Sequence, residues 1–164
     1  MRYLYLCIAL VLLICSGVLA DEKNSVDFSG EWTLDTAKSE MGESGRRSFL
    51  ATKMVIKQDG DKLEVESFRR NRDGQEVSIE STYTLDGEEC KNESENRSSV
   101  STAEWSADGK TLTITSKTNF SWSGRSFEMD SVEKWSIADG ALVIESTVSS
   151  QRGERSGKGV YTKS

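Results

Sequence analysis

The chain has 164 residues, with 21 Lys and Arg against 27 Asp and Glu for a net charge of −6, and it contains neither histidine nor proline. That balance leaves no basic face for a nucleic acid. Without histidine, Ser-His-Asp and Cys-His catalysis and His-ligated zinc, copper or haem are excluded.

In chain order, Met1-Arg2 is followed by an apolar run from Leu4 to Ile14 and by Val18-Leu19-Ala20, ahead of Asp21-Glu22. This pattern predicts a secretory signal peptide over 1–20, cleaved after Ala20 and too short to span a bilayer. The expected product, 21–164, is one secreted or periplasmic domain, monomeric and without a transmembrane span. Arg2 aside, it carries 20 basic and 27 acidic residues, a net of −7. Leu12-Leu13-Ile14-Cys15 resembles a lipobox, but bulky Ile14 before the cysteine argues against lipid anchoring at Cys15. Cys7 and Cys15 fall in the leader, so Cys90 is the single cysteine beyond it and no internal disulfide is expected.

The first strand pattern is Phe28-Ser29-Gly30-Glu31-Trp32-Thr33-Leu34, in which Phe28, Trp32 and Leu34 share one face. Gly30 lies on the same parity, and a strand glycine marks a bend or a close approach to the backbone. Beyond it, Asp-Gly pairs at 59–60, 73–74, 86–87, 108–109 and 139–140 read as hairpin tips. Apolar residues alternate with polar ones between them, as in Leu63/Val65, Ile79/Tyr83/Leu85, Leu112/Ile114 and Leu142/Ile144. Nine strands are predicted: 27–35, 50–58, 61–71, 75–86, 97–107, 110–122, 125–138, 141–150 and 154–163. Short connections make consecutive strands antiparallel neighbours, and closure into a barrel removes the edges that proline would otherwise blunt. The expected fold is all-β, a single up-and-down antiparallel barrel of eight to nine strands.

Gly30-Glu31-Trp32 resembles the Gly-x-Trp that opens lipocalins and fatty-acid-binding proteins, together the calycins, and Gly159-Val160-Tyr161-Thr162-Lys163 looks like the last fatty-acid-binding-protein strand. The chain is most similar to bacterial secreted lipocalin-like proteins, whose Gly-x-Trp-x-Leu is followed by a Lys-Ser, here Lys38-Ser39. The resemblance implies a lipocalin-like barrel, a mobile loop over the mouth at 36–49, and an arginine stacked on the Trp32 indole at the floor, for which Arg155 is the candidate. Fatty-acid-binding proteins grip a carboxylate with an Arg-x-Tyr on the last strand. With Tyr161 as that tyrosine, Gly159 stands where the arginine should be.

Inward parity mixes Ile56, Leu63, Val65, Ile79, Ile114, Met129 and Ile144 with Ser67, Ser81, Ser101, Ser116, Ser131 and Ser146, and small inward residues leave space for a cavity. With the 36–49 loop at the mouth, alternation puts the Gly74, Gly109 and Gly140 tips there too, and brings Arg69, Trp105, Trp135 and Tyr161 to the entrance. The candidate ligand-binding residues are Arg69, Tyr83, Trp105, Met129, Trp135 and Tyr161: aromatics for stacking and one guanidinium for an acid. Arg69 is expected to meet either Glu133 or a ligand's carboxylate. No cofactor or metal is expected, since Asp59-Gly60-Asp61 lacks the rest of a calcium loop. The expected function is non-catalytic binding of a small hydrophobic or amphiphilic molecule. The alternative is a filled barrel that works as an interaction or envelope-stress module through its outer surface, with the polar segment 86–96 as its partner-facing feature.

Overall fold

The computed structural model describes residues 25–40, 50–71, 73–122 and 124–164; the expected signal peptide at 1–20, and most of the 36–49 loop, lie outside the described residues. Among the described residues ten antiparallel strands follow one another: β1 (Gly30–Leu34), β2 (Lys53–Asp59), β3 (Lys62–Arg70), β4 (Glu76–Thr84), β5 (Cys90–Ser94), β6 (Arg97–Trp105), β7 (Thr111–Trp122), β8 (Arg125–Ala138), β9 (Ala141–Ser150) and β10 (Gly153–Lys163). They form one sheet in the order β4-β3-β2-β1-β10-β9-β8-β7-β6-β5, so a meander is wrapped round and joined where β1 pairs with β10. The barrel is nearly closed. β4 and β5 end the strand order, and no ladder joins them.

The count exceeds the eight to nine strands expected because Cys90-Lys91-Asn92-Glu93-Ser94 carries no apolar alternation and reads as loop, yet pairs with β6 from Cys90↔Ser101 to Ser94↔Arg97. That one strand inverts every later tip. The Gly74 tip shares an end with the β1–β2 connection, as expected, but Gly109 and Gly140 lie at the opposite end, together with Gly60 and Gly87. The mouth end instead carries the β5–β6, β7–β8 and β9–β10 connections. Of the five Asp-Gly pairs, Asp139-Gly140 alone has both φ angles positive (51° and 76°), as a type I′ turn requires.

The floor is built from the segment before β1. Val26 N–H donates to the Gly109 carbonyl at 3.1 Å, and Phe28 N–H to Gln58 Oε1 at 3.1 Å. Phe28, fully buried, stacks on Trp105 (centroids 5.6 Å apart, 6° between planes) and meets the edge of Trp135 at 5.9 Å and 78°. Trp32, 3% exposed, donates its indole N–H to the Phe28 carbonyl at 2.8 Å.

The cation over Trp32 is Lys163, its Nζ 5.4 Å from the ring. Arg155 does not approach the indole. Antiparallel pairing sets Trp32 opposite Lys163 and places Arg155 opposite Val148, toward the mouth. Gly30 makes this possible, because its φ of 142° lies outside the range of ordinary side chains and a Cβ there would fall 2.6 Å from Lys163 Cε. Lys163→Ala should therefore cost about 0.5–1 kcal/mol, the worth of an exposed cation–π pair, with Lys163→Arg retaining it. Equal denaturation midpoints for all three proteins would show that the contact contributes nothing.

Candidate functional site

Inside the wall lies a cavity of about 70 Å³, room for a few ordered waters. Its lining is polar. Ser67, Ser81, Ser116, Ser131 and Ser146 come from five strands, each on the parity that turns the neighbouring apolar residues inward. Ionisable groups converge among them: Arg69 from β3, Arg97 from β6, Glu133 from β8, and the phenols Tyr83 of β4 and Tyr161 of β10.

Of the six residues expected at the site, Arg69, Tyr83, Trp135 and Tyr161 line this cavity, whereas Trp105 and Met129 do not. Trp105 is in the floor against Phe28, on the far side of the space from the mouth. Trp135 is also a floor residue rather than an entrance residue, since β8 ends at the Gly140 tip. Met129 is half-buried toward the mouth, opposite Ser150.

Arg97 and Glu133 complete the set. Arg97 shares the parity of Ser99, Ser101 and Trp105, a signal already present in the sequence, but with the ends inverted it lies at the mouth side of β6 instead of beside the floor. Its guanidinium lies 5.5 Å above the Phe120 ring. Burial, and then the like charge of Arg69, lower its pKa. No ion pair joins Arg69 to Glu133 among the described residues; Glu133 Oε2 accepts the Trp135 indole N–H at 3.0 Å. The Nε of Arg69 and the Nε of Arg97 are both buried and have no acceptor.

Tyr161 takes the space above Gly159, where a Cβ would come within 2.6 Å of its ring. The residue at 159 is thus small because the tyrosine lies across it, and the cations face the cavity from β3 and β6 instead. Burial, then the Glu133 carboxylate, raises the pKa of Tyr161 and pushes that of Tyr83 up to about 12. Tyr83 and Tyr161 are the only tyrosines of residues 21–164. A spectrophotometric titration of 21–164 should therefore show no tyrosinate at about pH 10, where free phenols ionise. Because both values are raised, the protonated phenols favour the folded state. Their contribution is complete below about pH 10; that of Tyr83 is lost as the pH rises through about 12, and that of Tyr161 at higher pH still. A phase centred at the free-tyrosine value would place a phenol in solvent.

No family model matches the chain, and no curated protein matches it. Among solved structures it is similar to zebrafish ileal bile acid-binding protein complexed with cholic acid, at 19% identity and a TM-score of 0.53, covering 84% of this chain and 98% of that one. It is also similar to a secretary abundant heat soluble (SAHS) protein from Ramazzottius varieornatus, at 14% identity and a TM-score of 0.51, covering 84% and 95%. At these identities the likeness is one of fold, and the fold is calycin-like: an all-antiparallel, nearly closed β-barrel.

Proposed function

We propose that this calycin-fold barrel is an exported, non-catalytic binding protein that holds a small amphiphile by its acidic group inside the cavity. The observation that carries the proposal is the pair of half-buried guanidiniums, Arg69 and Arg97, whose buried Nε donors have no acceptor. Burying such groups unsatisfied is costly, and an oxyanion between them would supply acceptors for charge-assisted hydrogen bonds. Glu133 offsets one of the two charges, so the lining carries a net of one positive charge, suited to a monoanion. A space of about 70 Å³ takes a compact head group. The remainder of the ligand would extend toward the mouth, past Met129 and Ile79. The zebrafish protein with its cholic acid supplies the analogy for an acid held in such a barrel. Export rests on the leader pattern of 1–20.

Native mass spectrometry of 21–164 after mild extraction tests this, with dodecanoate and 1-anilinonaphthalene-8-sulfonate offered as probes. Retention or uptake of an acidic apolar molecule is expected; a barrel that never accepts one sinks the idea. A filled barrel acting through its outer surface is favoured by one observation: inward hydroxyls bond each other, as Ser101 and Ser116 do at 2.8 Å, which satisfies the interior without a ligand. It predicts no uptake, and loss of a partner when residues 86–96 are replaced.

A further inference from the structure

The barrel wall has a seam where β4 and β5 meet without ladder hydrogen bonds. At one point side chains fasten it. Thr82 N–H donates to Asn92 Oδ1 at 2.7 Å, while Asn92 Nδ2 and Cys90 Sγ both donate to the Thr82 carbonyl at 2.9 Å. A single side-chain amide thus stands in for a pair of ladder bonds. On the mouth side of Thr82 the fastening stops, and the wall opens into a space of about 350 Å³ bordered by Ser78 and Glu80 of β4 and by Glu93 and Ser94 of β5.

Ile79, Ser81 and Arg97 line both this side opening and the interior cavity. We propose that the seam is a side entrance for an anionic ligand, latched by Asn92 and with Arg97 as the cation that draws the anion inward. Arg97 is suited to this because Phe120 supports its guanidinium and its Nε is free to meet an acceptor. Glu80 and Glu93 at the rim oppose an anion, but they are exposed and screened by water, whereas Arg97 acts at shorter range from a half-buried position. The latch is cheap to open. It consists of hydrogen bonds at an otherwise unpaired edge bordered by serine, glutamate and asparagine, the kind of element that opens locally before the core does.

The cargo in this proposal rests on the cavity reading, but the entrance can be tested with no ligand at all. In a Cys90→Ser background, Ser81→Cys puts one thiol on the wall shared by opening and cavity. Its reaction rate is measured with anionic 2-sulfonatoethyl methanethiosulfonate and with neutral methyl methanethiosulfonate. Adding Asn92→Ala should speed both reagents about tenfold, equivalent to ~1.4 kcal/mol of lost latch. Adding Arg97→Gln should slow the anionic reagent several-fold and leave the neutral one unchanged. Should Asn92→Ala unfold the barrel, Asn92→Asp carries the same test, since it keeps the acceptor for Thr82 N–H and loses the donor; an intermediate rate is expected. Rates that ignore both Asn92 variants overturn the entrance, and equal slowing of both reagents by Arg97→Gln overturns the role of the cation. Failure of acidic probes to bind, with the thiol rates behaving as expected, would overturn the cavity reading and leave the entrance standing.

Discussion

Trp32→Ala should lower the stability of 21–164 by about 3–5 kcal/mol, the range for deleting a buried core aromatic. Three contacts are lost together. The indole is 3% exposed, its N–H satisfies the buried Phe28 carbonyl at 2.8 Å, and its face carries Lys163. The Phe28 carbonyl would be left without its donor, a cost of ~1–3 kcal/mol in a buried setting. The damage also spreads, because Phe28 is the ring on which Trp105 stacks and against which Trp135 abuts. Trp32→Phe separates the terms, since it keeps much of the apolar volume and removes only the N–H and the larger ring; it should lose less than half as much. Denaturant unfolding followed by far-UV circular dichroism reads both. A loss below about 1 kcal/mol for the alanine variant would mean that the indole is not a floor residue.

The floor was legible in the sequence because its signals are local. Phe28, Gly30 and Trp32 lie within five positions of one another, and period-2 parity alone places them on one face; a strand glycine marks a bend or a close approach, and at Gly30 it is Lys163 that approaches. The same parity identified the inward serines and Arg69. What the sequence hid was long-range direction. Cys90–Ser94 has no apolar residue in strand register except the cysteine, because it closes an unpaired edge and spends Cys90 and Asn92 on fastening Thr82 instead of packing a core. Missing that strand reversed the sense of every later one, which carried Trp105 and Trp135 to the wrong end and concealed that Arg97 faces the same space as Arg69. Lys163 rather than Arg155 covers the indole for a related reason: the register of β1 on β10 depends on where both strands end, and the Gly159–Lys163 motif does not fix which of its residues faces Trp32.

Arg69→Gln should weaken binding of dodecanoate by about 1.5–3 kcal/mol, the worth of a hydrogen bond to a charged group, and leave dodecanol unaffected. At ~1.4 kcal/mol per decade this is roughly a ten- to hundredfold rise in Kd, within reach of titration calorimetry. Arg97→Gln should act in the same direction. Because both guanidiniums would grip one head group, the double variant should lose less than the sum of the two singles. The empty barrel should respond in the opposite sense. Arg97 is held below its usual pKa by burial and then by the charge of Arg69, and neither Nε has a partner, so removing Arg69 relieves a like-charge contact. Arg69→Gln should therefore unfold at the same denaturant concentration as the parent or a higher one, while losing the acid. That combination, unchanged or greater stability with weaker binding of acids only, marks a cation kept for a ligand at a cost to the fold. Lower stability with no selectivity between acid and alcohol would make Arg69 a structural residue and remove the main support for the proposed function.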